Sequence, residues 1–386
     1  MRKTIFFAFV EPLSFSGQSA ASELLYKHFK AEGWNCKKIL IYPLNRGEKN
    51  RVKRYADFFQ KLIKTVLSLK ELIIEKDAIV HLNLGQSYGS FIRFLIPFIV
   101  IRLKRTSCLV ISLHGHIFMQ WTKNSAICKF FLWYLNPAKM ITVLGKSQAD
   151  KLFEFGIPKS AIEIIPNTCG FSPIEFKKLI HKHKDSAVIK LLHLSLLIES
   201  KGFPLFLEAL ELLSKRQLGL KLEIVLCGPI SFTAYCQQFV DEKSKSDWID
   251  AKIASINQNE DFRIVWKKGL WGTEKRGEYE SSHIFVFPSH FPVETQPLVI
   301  LEAMATGCAI MTTKVGEIAD TIGKEECMTI APYGAEALAS DMLILIRDKE
   351  RRIALAKAAW QRYKDSYTNE KHLASWEKLF LTVDKQ

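Results

Sequence analysis

Two carboxylates stand eight residues apart in the stretch FVFPSHFPVETQPLVILE, which runs from Phe285 to Glu302. The run Phe285–Pro288 has the apolar character of a strand. Glu294 follows in a loop, and Pro297 falls where a helix should begin, a first-turn position that needs no N–H donor. The start of that helix, Thr295, Gln296, Pro297 and Leu298, offers unpaired N–H groups at every position but the proline and the positive end of a dipole, which suits an anionic or sugar-phosphate ligand. Glu294 can accept hydrogen bonds from sugar hydroxyls, and Glu302 from a ribose diol. Glu302 lies within Leu298–Ala305, a run so apolar that its carboxylate is expected to have a partner.

These residues need a scaffold, and the rest of the chain supplies its pattern. The 386 residues are 48% hydrophobic and 24% charged, enough for two globular α/β domains. Short apolar runs alternate with amphipathic ones. Strands are expected at Thr4–Val10, Lys38–Tyr42, Ala78–Leu82, Cys108–Leu113, Met140–Val143 and Ile162–Ile165. A second series is expected at Ile189–Ser195, Leu222–Cys227, Arg263–Trp266, Ile284–Pro288 and Ala309–Thr313. Helical runs lie between them, so each half predicts a parallel sheet covered on both faces. The expected division is a first Rossmann-like domain over 1–170, a linker over 171–188 containing Pro173 and a Lys-rich tract, a second such domain over 189–365, and a C-terminal helix over 366–386. His181 and His183 of the linker read as solvated. In doubly wound sheets, ligands bind beyond the carboxyl ends of the strands, so two in tandem imply a cleft.

The charge is unevenly divided. Residues 1–185 hold 29 Lys/Arg against 13 Asp/Glu, whereas residues 186–386 hold 25 against 27. A basic first half suits an anionic partner, such as a lipid headgroup or an acidic polymer. Arg46–Arg54 leads into the amphipathic run Tyr55–Leu69 and is the surface candidate for anionic lipid. Phe91–Val100 is too short to span a bilayer. It reads as an internal helix, with an interfacial helix as the other reading. The eight cysteines are scattered without a CxxC pair and read as buried free thiols of a reducing compartment. No metal site is expected, since His114 and His116 lack a third ligand and no Asp-x-Asp occurs. No nucleic-acid module accompanies the charge.

The stretch PSHFPVETQPLVILEAMATGCAI resembles the signature of the retaining GT-B glycosyltransferases of family 4, in which two Glu residues are separated by seven others and the second opens Ala-Met-Ala-x-Gly. The likeness extends over about residues 2–365. Gly17, in a loop after the first strand, resembles the family's glycine loop near the donor diphosphate. His114-Gly115 resembles its His-Gly element, and Ile165-Pro166-Asn167 its strand end before the linker. LSLLIESKG, from Leu194 to Gly202, resembles the element whose Lys, here Lys201, holds the pyrophosphate. Gly228, after Cys227, resembles the strand-end glycine near the diphosphate, and Leu270 the turn that touches the base. Gln86, Ser87 and His116 fall on the acceptor side.

The resemblance implies a GT-B fold, with two Rossmann-like domains facing across a cleft and C-terminal helices crossing back to the first. It implies transfer of a sugar from a nucleotide-diphosphate sugar, a UDP-sugar being favoured, to a glycan or lipid-linked acceptor, with retained configuration. No cofactor or metal is implied. Glu294 and His114 would act on the sugar. Lys201 and Glu302 would hold the diphosphate and the ribose. Such an enzyme of surface polysaccharide or glycolipid synthesis is expected in the cytoplasm, peripheral at the inner face of the membrane. The alternative is a non-catalytic homologue that binds a nucleotide-sugar or polyanion. Two positions depart from the family. Leu196 stands where the family usually has Arg, and Thr295 where it usually has Gly.

Overall fold

Strand β1 (Thr4–Val10) is buried along nearly its whole length, with Phe6, Phe7 and Phe9 all closed off from solvent. Each such side chain contributes about 1.5–3 kcal/mol by leaving water. Neighbours on both sides and helices on both faces are what such a strand requires. The computed structural model provides them, describing residues 3–10, 17–42, 51–104, 107–184, 187–323, 327–329 and 334–385. It divides into two units, one of residues 1–167 with 372–386 and one of residues 168–371.

In the first unit β1 is followed by α1 (Gly17–Ala31), β2 (Cys36–Ile41), α2 (Arg51–Ser68), α3 (Lys70–Ile74), β3 (Ala78–Asn83) and α4 (Tyr88–Leu103). Then come β4 (Ser107–Ser112), α5 (Ala126–Leu135), β5 (Met140–Val143), α6 (Lys146–Glu154) and β6 (Ile162–Ile164). All strand pairs are parallel, in the order β2-β1-β3-β4-β5-β6. Phe6, Ala8, Val80 and Ile111 face a core shared with Leu72, Phe91, Phe94 and Phe98. Ile5, Phe7 and Phe9 face the other way, towards Leu25 and Phe29. Within Phe91–Val100 one side packs inside this unit, as α4 buries Phe91, Phe94, Phe98 and Ile101, while Ile92 and Ile99 on the other side are exposed. Of the basic tract at 46–54, residues 46–50 lie outside the described residues.

The second unit holds α7 (Phe176–Lys182), β7 (Val188–Leu194), α8 (Phe203–Ser214), β8 (Lys221–Cys227), α9 (Glu242–Ile256), β9 (Phe262–Lys267) and α10 (Gly272–Ser281). It continues through β10 (Ile284–Phe287), α11 (Leu298–Ala305), β11 (Ala309–Thr312), α12 (Ile318–Thr321), β12 (Met328–Thr329), α13 (Ala335–Arg347) and α14 (Lys349–Ser366). Its parallel sheet has the order β12-β11-β10-β7-β8-β9. The final helix α15 (Asn369–Asp384) brings the chain back to the first unit, where Trp376, Leu379, Phe380 and Val383 join the core of Phe7 and Phe29.

Three expectations need correction here. Residues 171–188 are not a free linker, because they belong to the second unit and α7 buries Leu179 beside Ala309 and Trp360. His183 is not solvated. It is fully buried, with Nε2 2.9 Å from the Gly307 carbonyl, while His181 stays exposed. Of the cysteines, which are all free, Cys128, Cys227, Cys308 and Cys327 are buried and the other four only half-buried.

Candidate functional site

In the second sheet the order of connection reverses between β7 and β10, which lie side by side with Ile284 opposite Leu191. Such a reversal leaves a crevice at the carboxyl ends of the two strands, because the segments leaving them turn to opposite faces of the sheet. The segment after β7 is a short 3-10 turn, Glu199–Lys201. The segment after β10 runs through Ser289 to Glu294. The two are tied by the His290 N–H, which donates to the Ser200 carbonyl at 2.8 Å.

Lys201 and Glu294 meet there. The Lys201 Nζ lies 3.3 Å from Glu294 Oε2 and 3.4 Å from Oε1. Ser289 donates its hydroxyl to Oε2 at 3.0 Å, and only 5% of Glu294 is exposed. The ammonium also lies 5.4 Å from the ring centre of Phe291. The N-terminus of α8 follows Lys201 after one residue and adds positive potential. A buried carboxylate with two polar partners and a cation with an open side are a polar hinge, able to exchange partners when an anion arrives.

Glycine makes the close packing around this pair possible. At Gly316, φ is +58° and a Cβ would lie 1.9 Å from the Glu294 carbonyl oxygen. At Gly228, φ is +140° and a Cβ would lie 1.7 Å from the Ser195 carbonyl oxygen. A side chain at either position would push away the strand-end backbone.

Glu302 is the second carboxylate, and 4% of it is exposed. Its expected partner is present: Lys275 of α10 donates to Oε1 at 2.5 Å. Oε2 is buried and makes no hydrogen bond of ordinary geometry among the described residues, with the Tyr279 hydroxyl near the carboxylate. Burial raises the Glu302 carboxyl above its usual value, against the pull of Lys275. Burial and this neighbouring carboxylate hold the Tyr279 phenol well above its ordinary range.

The residues between the two carboxylates occupy distinct environments. Thr295 and Leu298 are half-buried, whereas Gln296 and Pro297 are buried. The Gln296 side chain donates to Thr321 Oγ1 at 3.0 Å, which fixes the loop before α11 against α12. Pro297 is the N-cap of α11 rather than its first-turn residue, one position earlier than expected. Leu270 is half-buried against the core of Leu192 and Phe285, and Trp271 next to it is 71% exposed.

Of the residues expected in the first unit, Gly17 is the first residue of α1 and not part of a loop, and 11–16 lie outside the described residues. His114 follows β4. Burial chiefly, with His372 nearby, lowers its pKa to about 4, so its imidazole is neutral near pH 7. His116 is buried, and burial lowers its pKa as well. Gln86 supports the turn that carries them. Its Nε2 donates to the Gly115 carbonyl at 3.0 Å, and its Oε1 accepts from the Phe118 N–H at 3.2 Å. Gln148 donates to the same Gly115 carbonyl at 2.8 Å. Ser87 is the N-cap of α4, its hydroxyl accepting from the Ser90 N–H at 3.2 Å.

Sequence reasoning passed over Lys275, Ser289, Glu199 and Gly316. Glu199 accepts from the Gln237 and Gln238 N–H groups, both at 2.7 Å, and so holds the segment after β8. A cavity of about 470 Å³ opens here, lined by Glu199, Ser200, Tyr235, Gln237, Gln238 and His290 among others. Only the position of Glu199, two residues before Lys201, hinted at such a role.

Residues 175–362 match the sequence profile of the family described as glycosyl transferases group 1. A stretch of 129 residues is 30% identical to the sulfoquinovosyl transferase SQD2 of Arabidopsis thaliana, covering 30% of this chain. The chain covers about a quarter (25%) of that curated relative. Among solved structures, the Anabaena protein HepE in complex with UDP aligns over 98% of this chain and 100% of its own, with a TM-score of 0.71 and 12% identity. Sucrose-phosphate synthase from Thermosynechococcus elongatus aligns over 99% of both chains, with a TM-score of 0.69 and 16% identity. These likenesses extend over nearly the whole chain and give it the GT-B fold. Its second unit, with the Lys201–Glu294 pair at the strand reversal, carries a glycosyl transferases group 1 domain.

Proposed function

We propose that this protein is a retaining glycosyltransferase of family 4. It takes a sugar from a nucleotide-diphosphate donor, a UDP-sugar being favoured, and passes it to a glycan or lipid-linked acceptor in surface polysaccharide or glycolipid synthesis. It works without a metal at the cytoplasmic side of the membrane and binds no nucleic acid. The observation that carries this reading is the Lys201–Glu294 pair, a cation and a carboxylate poised together beyond the carboxyl ends of β7 and β10. That HepE was solved with UDP, and also with UDP and glucose, supports a uridine nucleotide.

The chemistry follows from the two charges. A diphosphate that takes the Lys201 ammonium stabilises itself as a leaving group and releases Glu294 to accept from sugar hydroxyls. Ser289 keeps the carboxylate aimed while its partner changes. Glu302 offers Oε2 to a ribose hydroxyl while Lys275 neutralises Oε1. Gly17, Gly228, the N–H groups of Thr295, Gln296 and Leu298, and Pro297 between them approach the phosphates and sugar, and Leu270 the base. Neutral His114 serves as a hydrogen-bond partner for a sugar hydroxyl. His116, Gln86 and Ser87 belong to the acceptor side. In a retaining reaction the departing diphosphate itself helps deprotonate the acceptor, so Glu294 and Glu302 are not the opposed acid and base of a glycosidase.

The test compares wild type with Glu294→Ala in donor hydrolysis and nucleotide binding. The reading expects turnover to fall far more than affinity. Equal turnover would remove Glu294 from the site.

A further inference from the structure

Helices α2 to α5 form one layer on the first sheet, with Leu72, Phe91, Phe98 and Phe131 turned inward to a common core. Buried side chains on one side of a helix leave the opposite side to face away from the sheet. On α4 that outward side is apolar. Tyr88, Ile92, Ile99 and Leu103 are 60%, 61%, 41% and 77% exposed. Their spacing confines them to about 60° of the helix circumference. Their burial elsewhere in the fold would be favourable, so exposing them needs a reason.

The neighbouring helices continue the pattern. α2 lies against both α3 and α4. It exposes Ile63, Val66 and Leu67, at 58%, 47% and 63%. α3 exposes Ile73 and Ile74, at 60% and 70%. Charge accompanies the apolar residues. The sequences of α2, α3 and α4 contain eight Lys/Arg against two acids, Asp57, which is paired with Lys61, and Glu71, which is paired with Lys37 of β2. Lys64, Lys70 and Arg102 are exposed.

We propose that the outer face of α2, α3 and α4 is a docking surface for an anionic lipid bilayer. The helices lie in the headgroup region, with the Ile and Leu side chains in the acyl boundary and the lysines and arginines on lipid phosphates. No helix among the described residues is long and apolar enough to cross a membrane, so the face rests on the bilayer. A protein partner or second copy would have to match the exposed Lys64, Lys70 and Arg102 with acidic groups, in which the strongly basic first half of this chain is poor.

Vesicle flotation tests this with the full chain. The vesicles are phosphatidylcholine alone, or phosphatidylcholine with about 30% phosphatidylglycerol to supply the anionic charge. Wild type is expected to float with the anionic vesicles, to lose that binding as salt rises, and to ignore the neutral ones. Ile92→Asp with Leu103→Asp, and separately Lys64→Glu with Lys70→Glu, should each lower vesicle binding about tenfold or more. Circular dichroism and nucleotide binding, which the second unit is expected to supply, check that the variants remain folded. No wild-type flotation at low salt would overturn the proposal. So would folded variants that bind as well as wild type. Sedimentation gives the third contrary result: a dimer that the apolar variants split, with vesicle binding unchanged, assigns the face to a second copy.

Discussion

The Lys201 ammonium stands 3.3 Å from Glu294 Oε2 across 93 residues of chain, joining the segments that leave β7 and β10. Each residue neutralises the other, and each is a group that a sugar-diphosphate needs. The pair is therefore a structural tie and, in the proposed function, a binding element as well. Its energetic value as a tie is modest, because a partly exposed lysine keeps much of its hydration. Its value as a binding element is set by the charge of the ligand that competes for it.

Lys201→Ala should weaken binding of a nucleoside diphosphate by about 1.5–3 kcal/mol, the range of a hydrogen bond to a charged group. Calorimetric titration with UDP measures this. The same substitution leaves Glu294 with Ser289 alone, so a small fall in Tm should accompany it. An unchanged dissociation constant would separate Lys201 from the diphosphate.

Gly316→Ala should damage the site without touching any charged residue. Its positive φ and the approach to the Glu294 carbonyl oxygen leave no room for a methyl group. The expected outcome is a lower Tm together with weaker nucleotide binding. Gly277→Ala in α10 is the control, because a Cβ there meets nothing within 4 Å. It should leave the site intact.

Lys275→Ala removes the counter-charge of a buried carboxylate. The Glu302 pKa is then expected to rise further, because burial already raises it and the opposing pull of Lys275 is lost, leaving only the Tyr279 hydroxyl against it. Stability should fall relative to wild type, and the deficit should grow as pH rises, since deprotonation leaves an unpaired buried charge. Lys275→Ala combined with Glu302→Gln should recover much of the loss. Thermal melts of the three proteins from about pH 4, near the ordinary glutamate value, to about pH 8 measure this.

Buried histidines predict an acid limit to stability. Burial, the largest cause in each, lowers the pKa of His81 and His183 to about 3 and of His114, His193 and His283 to about 4. The unfolded chain therefore binds protons that the folded chain does not as pH falls below about 6.5. The stabilisation is complete above that value and is lost progressively towards the folded values of about 3 to 4. Denaturant midpoints measured from pH 7 down to pH 4 should decline steadily, and histidine proton resonances of the native protein should not titrate above about pH 5 for these five residues.

Much of this architecture is legible in residue order because parallel strands buried on both faces must be nearly continuous apolar runs. Thr4–Val10 and Met140–Val143 fall where the pattern puts them. The two-residue strand β12 is too short to leave a period. The linker was misread for a different reason. Lys177, Lys178 and Lys184 mark a solvated surface, but Leu179 and His183 on the same segment are buried, and only tertiary packing separates the two kinds. Lys182 shows this most plainly: its ammonium donates to the Tyr279 and Thr306 carbonyls at 2.9 Å each. In the site, the spacing of Glu294 and Glu302 is local and therefore visible. The family resemblance marks Lys201 as a site lysine, but its pairing with Glu294 and the whole role of Lys275 are not visible, because these cations arrive from other segments and nothing in a one-dimensional pattern ties them to the carboxylates.

The most direct measurement is donor hydrolysis and binding with UDP-, GDP- and ADP-sugars, using wild type and Glu294→Ala side by side and adding lipid-linked or glycan acceptors where hydrolysis is slow. The account predicts that a UDP-sugar binds wild type and is turned over, and that Glu294→Ala keeps most of the affinity while losing turnover. Binding of none of these donors by folded wild type, or undiminished turnover in Glu294→Ala, would contradict it.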